Sequence, residues 1–290
     1  MRWRAAQRNS AFLYWAVAVR GFAGAFAWRM KTLVLRLAYD GTDFVGLQRQ
    51  PNGRTVEGEL AKALERIYGE CPTIVPAGRT DSGVHARGMV VHVRLGKADR
   101  IPVERIPRAL NALLPEDVRI NGVQLRSDTQ FHARYDALRR TYSYYLARCS
   151  DPLRRRYEWQ VPFPFRDTAL EEAAAVFLGT HDFTTFSKFN ADRRSYICTV
   201  ERCSWHQCGG GRYRLEIVAN RFVYGMVRCL VGAMLDCARG KRSAAELAEA
   251  LHARDRRRSS PIAPPHGLVF ESVEYPPELG VVFTSECAQW

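Results

Sequence analysis

The sequence predicts a protein of the α+β class, because its apolar residues recur in the order of a ferredoxin-like unit, β-α-β-β-α-β, over the first half. A linker rich in Arg and Pro, residues 151–164, leads into a second set of strand and helix patterns. Hydrophobic residues make up 47% and charged residues 25% of the 290 positions, as in an ordinary globular protein. The length is sufficient for one large core or two smaller ones.

In the first half, alternating or β-branched apolar runs predict four strands, and apolar stripes with helical spacing predict two helices. Thr55 is placed to cap the first helix, and Pro115 ends the second. The predicted strands cover 32–39, 73–76, 89–94 and 118–125, and the predicted helices cover 56–67 and 103–113.

The second half repeats this alternation of elements. Gly209, Gly210 and Gly211 predict a flexible hairpin tip between two strands, and Ser243 with Glu246 has the spacing of a helix capping box. Residues 276–290 are expected to form a loose tail. The predicted strands cover 139–145, 197–206, 213–219 and 273–275, and two predicted helices cover 167–178 and 243–251. The segment 220–228 is expected to enter a further helix, which continues through 230–232.

The charge of the chain is strongly positive, with 43 Lys and Arg against 30 Asp and Glu and a formal net charge of +13. A basic surface of this size favours a polyanionic partner, most often a nucleic acid, although charge alone does not separate RNA from DNA or from an anionic membrane. No apolar run approaches the roughly twenty residues that span a bilayer.

Residues 1–29 differ from the rest, because they contain five arginines and no acidic residue. Such a segment is typical of an organellar transit peptide, or it arises from an upstream start codon that is not used in the cell. We therefore treat residues 1–29 as an N-terminal extension outside the fold.

The cysteine pattern predicts free thiols and no metal site. Cys198, Cys203 and Cys208 recur at five-residue spacing near His206, but the chain contains no Cys-x-x-Cys pair. The sequence also lacks a phosphate-binding Walker loop and a dinucleotide-binding fingerprint, so we expect no cofactor.

The most informative stretch is the run at 77–86, between an apolar strand end and a β-branched run. Gly78 and Gly83 bracket a turn that contains Arg79, Thr80 and Asp81, so a carboxylate and a guanidinium can face one cleft. By composition alone the same residues also suit an ordinary surface turn.

The run Gly-Arg-Thr-Asp-Ser-Gly-Val-His-Ala at 78–86 resembles the catalytic signature of the TruA family of tRNA pseudouridine synthases. Other stretches resemble the family in the same order, and the resemblance spans about residues 31–275. The sequence departs from the family pattern in three places: Leu47 replaces an aromatic residue, Lys188 stands where many bacterial members carry Arg, and Tyr224-Gly225 replaces a pair that is often histidine. The matching stretches are 39–50, 111–118, 131–145, 183–188, 220–232 and 263–275.

The resemblance implies two ferredoxin-like subdomains whose sheets join in one long antiparallel sheet with a central RNA-binding cleft. We expect the N-terminal subdomain at 30–139, with the catalytic loop, and the C-terminal subdomain at 140–275, followed by the tail. Family members are homodimers that bind tRNA across basic clefts. A cytoplasmic enzyme with no membrane association is expected.

The resemblance also implies the site residues. Asp81 is the essential carboxylate, and Arg228, which would be costly to bury alone, is its partner. Arg79 fills the space of the flipped base or holds a neighbouring phosphate, and Tyr142 stacks beneath the uracil or assists proton removal. The expected substrate-binding residues are Gly78, Thr80, His85, Arg134 and Lys188.

The implied reaction is the cofactor-free isomerisation of uridine to pseudouridine at positions 38, 39 and 40 of the tRNA anticodon stem-loop. Asp81 attacks C6 of the base, attacks C1′ of the ribose or removes a proton from C2′, and the sequence leaves these routes open. Two alternatives stay open as well: a non-catalytic RNA-binding protein of the same fold, and a sister pseudouridine synthase with other RNA targets. A zinc-dependent base deaminase is excluded, since its His-x-Glu and Cys-x-x-Cys motifs are missing.

Overall fold

The computed structural model describes residues 30–96, 98–189 and 195–283, and the predicted N-terminal extension therefore lies outside the described residues. The chain forms ten strands and five α-helices over these ranges. In chain order they are β1 (Lys31–Tyr39), α1 (Val56–Tyr68), β2 (Val75–Pro76), β3 (His85–Leu95), α2 (Ile106–Asn111), β4 (Val118–Arg126), β5 (Arg139–Ala147), β6 (Trp159–Gln160), α3 (Asp167–Ala175), β7 (Gly179–Asp182), β8 (Ile197–Gly209), β9 (Arg212–Ala219), α4 (Met226–Ala238), α5 (Ala244–Ala253) and β10 (Leu268–Glu274).

All ten strands belong to one sheet, in the order β4-β1-β3-β10-β5-β9-β8-β7, with β2 paired to β3 and β6 paired to β5. The antiparallel order β4-β1-β3-β2 is that of a ferredoxin-like unit, and β10-β5-β9-β8 repeats it. The predicted fold class is confirmed.

The two units meet at a short parallel contact, which interrupts the expected antiparallel pattern. Val269 and Phe270 of β10 pair with His85 and Ala86 of β3. Strand β2 covers only two residues of the same β3 edge, so the rest of that edge is available to β10. The loop between β2 and β3 therefore lies at the centre of the sheet, where the two units join.

Local sequence signals set several element ends as expected. The Thr55 side chain accepts a hydrogen bond from the Gly58 amide at the start of α1, and Ser243 and Glu246 form the predicted capping box of α5. The three glycines at 209–211 form the predicted hairpin tip and all have positive φ angles.

Helix α4 starts at Met226, directly after Tyr224-Gly225, and its N-cap Gly225 has a φ of 70°. Other ends were predicted wrongly. The predicted helix at 103–113 is a 3₁₀ turn followed by a short α2, and α3 ends at Ala175. The last strand is longer than predicted and starts at Leu268.

Residues 276–283, expected to be a loose tail, instead contact the outer strands. The Gln124 and Arg126 side chains donate hydrogen bonds to the backbone carbonyls of Gly280 and Leu279, both at 2.7 Å. The Arg36 guanidinium lies 5.1 Å from the centre of the Phe283 ring. Among the described helices, none is long and apolar enough to cross a membrane.

Candidate active site

The loop between β2 and β3 carries Asp81 and is fixed by the segment that follows β1. Asp81 forms an isolated β-bridge with Gly46, and the Leu47 amide donates a hydrogen bond to the Thr80 carbonyl at 3.2 Å. Gly46 has a φ of 123°, and a Cβ there would lie 3.1 Å from the Thr80 carbonyl oxygen. This close backbone approach requires glycine and holds the Asp81 loop in place.

Asp81 and Arg228 form the predicted ion pair. The Arg228 Nη1 donates to Oδ2 of Asp81 at 2.9 Å, and the Arg228 Nε donates to the Ala263 carbonyl at 2.8 Å. The side chains are 18% and 11% exposed, so the pair is largely shielded but open on one side. Within the described part of the chain, no other group donates a hydrogen bond to the Asp81 carboxylate, which leaves Oδ1 available to a substrate.

Tyr142 lies beside this pair and is almost fully buried. Its ring packs edge-on against Phe222 and Phe270, at centroid distances of 4.9 and 5.1 Å. Burial, with a smaller contribution from the negative charge of Asp81, raises the pKa of Tyr142 well above its ordinary value of 10. The phenol is therefore neutral at physiological pH.

Gly78 leaves room next to this tyrosine. A Cβ at position 78 would lie 3.5 Å from the Phe270 ring and 4.0 Å from the Tyr142 hydroxyl, so a larger side chain would occupy the space in front of the ring. The structure thus brings together Asp81, Arg228, Tyr142 and Gly78.

Thr80 and His85 are buried and support the loop. The Thr80 and Tyr39 hydroxyls are hydrogen bonded at 2.7 Å. The His85 Nδ1 accepts from the Gly41 amide at 3.0 Å, and its Nε2 lies 2.9 and 3.1 Å from two backbone carbonyls of the second half. Their polar atoms are already bound to protein groups, which fits a positioning role better than the direct substrate contact that we expected.

The three expected cationic contacts are more accessible. Arg79 and Arg134 are exposed, and Lys188 is partly buried at the start of α4. Among the described residues, none of these three side chains has a carboxylate partner within ion-pair distance. Their positive charges are therefore free to attract phosphate groups.

Sequence reasoning missed Arg140, which is 8% exposed and has no carboxylate partner among the described residues. Each of its five N–H groups donates to a backbone carbonyl, at 2.5 to 3.3 Å, and burial lowers its pKa. The four carbonyls belong to Ala77, Arg134, Ala137 and Asn220. One side chain thus ties together the start of the Asp81 loop, the Arg134 loop and the segment that leads to Arg228. The sequence did contain one signal for Arg140: it stands two residues before Tyr142, so both side chains lie on the same face of β5.

The geometry suits covalent or acid–base chemistry by a carboxylate. Arg228 orients one oxygen of Asp81 and stabilises its charge, while the other oxygen accepts no hydrogen bond from the described residues, and the neutral Tyr142 ring lies nearby. Such a carboxylate can act as a nucleophile or as a general base.

Comparisons with known proteins find a matching family model and similar proteins. A family model described as tRNA pseudouridine synthase matches residues 37–136 and 173–276. Three similar proteins carry the name tRNA pseudouridine synthase A. That of Thermus thermophilus is 43% identical, over 86% of this chain and 98% of its own length. That of Moorella thermoacetica is 42% identical, over 85% of this chain and 100% of its own length. That of Halalkalibacterium halodurans is 42% identical, over 83% of this chain and 91% of its own length.

Proposed function

Because this chain belongs to the family of tRNA pseudouridine synthases, we propose that it isomerises uridine to pseudouridine at positions 38, 39 and 40 of the tRNA anticodon stem-loop. The observation that carries the proposal is the Asp81–Arg228 ion pair at the junction of the two units, with a neutral Tyr142 beside it. The net charge of +13 supports a polyanionic substrate.

In the proposed reaction the N1–C1′ bond breaks, the uracil turns, and a C5–C1′ bond forms. The proton on C5 is released to solvent and N1 gains a proton, so atoms and electrons balance without an oxidant, a reductant or another reactant. We therefore propose that no cofactor takes part. Asp81 supplies the essential carboxylate, and Arg228 orients it and stabilises its charge.

Tyr142 and Gly78 form the proposed uracil contact. The raised pKa of Tyr142 disfavours the phenolate, so stacking against the base fits better than proton removal. Gly78 places no side chain beside the Phe270 ring and the Tyr142 hydroxyl, and we propose that a base that has left its stack lies there. Arg79, Arg134 and Lys188 are proposed to hold neighbouring phosphates, with Arg79 closest in sequence to the carboxylate.

We also propose, from the family resemblance, that the chain works as a cytoplasmic homodimer. The measurement that checks it is the molar mass in solution, which should correspond to two chains without tRNA and to two chains plus the bound tRNA when tRNA is added. A monomeric mass at micromolar concentration in both conditions would contradict the proposal.

The direct test of function is tritium release from tRNA that contains 5-³H-uridine, followed by mapping of the products. The wild type should release tritium from positions 38 to 40, and Asp81→Asn and Asp81→Ala should lower turnover about 10³-fold or more while tRNA affinity is kept. Asp99→Asn is the matched control, since that carboxylate is 69% exposed and its pair with Lys31 contributes little to stability.

Each outcome separates the alternatives. Release that maps to other uridines would indicate a sister enzyme with different RNA targets. Tight tRNA binding without release by the wild type would overturn the enzymatic proposal and leave an RNA-binding protein.

A further inference from the structure

An exposed surface of aromatic and cationic side chains lies beside α4, and we name it the 188–256 surface. It consists of Lys188, Phe189, Tyr224 and Arg256. Phe189 is 71% exposed and Tyr224 is 48% exposed, although large aromatic side chains are normally covered. The Lys188 Nζ lies 5.0 Å from the Tyr224 ring centre, and the Arg256 guanidinium lies 5.6 Å from that of Phe189.

Backbone contacts fix the members of this surface relative to one another. The Lys188 amide donates to the Tyr224 carbonyl at 2.7 Å. The Arg256 Nε donates to the carbonyl of Ser187 at 3.0 Å, and its guanidinium lies 4.9 Å from the Tyr196 ring. The rings and the cations are therefore presented in a defined arrangement rather than on independent flexible loops.

The surface adjoins the candidate active site. Tyr224 directly precedes Gly225, the N-cap of α4, and Arg228 lies in the first turn of that helix. Tyr224 precedes Arg228 by four residues, so the backbone positions of these two residues are at most about 14 Å apart. Gly225 also contacts Lys188 closely, since a Cβ there would lie 3.0 Å from the Lys188 Cγ.

The cations of this surface are not neutralised within the described residues. Neither Lys188 nor Arg256 has a carboxylate within ion-pair distance there. The neighbouring arginines differ, because Arg257 pairs with Asp255 at 2.7 Å and Arg258 lies 3.5 Å from Glu249. Unpaired cations next to exposed aromatic faces are the combination that binds single-stranded nucleic acid, in which base faces are open to stacking.

We propose that the 188–256 surface binds unpaired nucleotides next to the target uridine, with Phe189 and Tyr224 stacking on bases and Lys188 and Arg256 contacting phosphates. The inference rests on the proposed function, since it assigns part of the RNA substrate to a surface outside the catalytic pocket. A base-paired segment does not fit, because its base faces are already stacked.

The test compares binding of two synthetic RNAs by fluorescence anisotropy: an anticodon stem-loop and a fully paired duplex of the same length. Phe189→Ala and Tyr224→Ala should each weaken binding of the stem-loop roughly ten-fold and leave binding of the duplex unchanged. Tyr224→Phe keeps the ring and should bind like the wild type. Val282→Ala is the matched control, because Val282 is also 71% exposed but lies in the tail segment.

Kinetics give the second readout. In Phe189→Ala, KM for tRNA should rise roughly ten-fold, as the stem-loop affinity falls. The single-turnover rate at saturating tRNA should stay at the wild-type value. Unchanged stem-loop affinity in both alanine variants, or equal weakening for stem-loop and duplex, would overturn the proposal. A failure of the proposed function can be distinguished from a failure of this proposal, because the wild-type protein would then make no pseudouridine, whatever the binding measurements show.

Discussion

His92, in the strand that follows the Asp81 loop, makes the protein sensitive to acid. It is 2% exposed, and its Nδ1 accepts a hydrogen bond from the Ala133 amide at 3.1 Å. Burial, with smaller contributions from the neighbouring His132 and Arg94, lowers its pKa from 6.5 to about 4, although Asp136 acts in the opposite direction. The folded protein therefore holds a neutral imidazole under conditions in which the unfolded chain binds a proton.

Because His92 has different pKa values in the folded and unfolded states, the unfolding free energy depends on pH. Between pH 6.5 and about 4 the unfolded state binds more protons at this site, so stability is complete above pH 6.5 and falls as the pH drops to about 4. One pKa unit corresponds to about 1.4 kcal/mol, so full protonation costs about 3 kcal/mol of unfolding free energy. Because a protonated Nδ1 cannot accept from Ala133, the loop that carries Arg134 loosens as well.

The assay is urea unfolding of the wild type and of His92→Asn between pH 7.5 and 4. Asn keeps an acceptor near the Nδ1 position but does not titrate, so the loss of stability over this range should shrink by about 3 kcal/mol. His252→Asn is the control, since it replaces an exposed histidine with the same residue. A pH dependence that is identical in wild type and His92→Asn would show that His92 does not cause the acid sensitivity.

Three substitutions test how the loop is held. Arg140→Lys should lower the unfolding free energy by about 3 kcal/mol and reduce turnover, because three donors replace five; a loss below about 0.5 kcal/mol in urea unfolding would contradict this. Gly41→Ala places a Cβ 2.0 Å from the Val84 carbonyl oxygen, so it should lower the unfolding free energy by about 3 kcal/mol or more. The measurement is thermal unfolding, and a melting temperature equal to that of the wild type would contradict the prediction. Tyr39→Phe should cost about 1–3 kcal/mol by leaving the buried Thr80 hydroxyl unpaired, measured by urea unfolding, and an unchanged midpoint would count against it.

Features encoded by neighbouring residues could be predicted from the sequence. The cap at Thr55 and the capping box at Ser243 depend on contacts three residues apart, so the sequence pattern and the structure agree. The Asp81 loop was singled out because its run at 78–86 resembles the catalytic signature of a known family, whereas the residue types alone also suit an ordinary surface turn.

Features that join distant residues could not be predicted in this way. The contacts of Arg140 with Ala77 and Asn220 cross 63 and 80 positions of sequence, and their acceptors are backbone carbonyls, which every residue has. The 188–256 surface combines three separate segments that lie together only through folding. The Arg228 partner was expected from the family resemblance and from the cost of burying a lone charge, not from local pattern.

The place of β10 in the sheet determines the order in which the enzyme can be assembled on the ribosome. Strand β10 begins at residue 268, whereas its neighbours β3 and β5 end at residues 95 and 147. Until the ribosome has made β10, the edges of β3 and β5 that it covers are open to wrong pairing with other strands. Such distant pairing is slow, because a long loop must close first. A translational pause before residue 268 would therefore lengthen the period of aggregation risk, and catalytic competence arises only once this strand has been inserted.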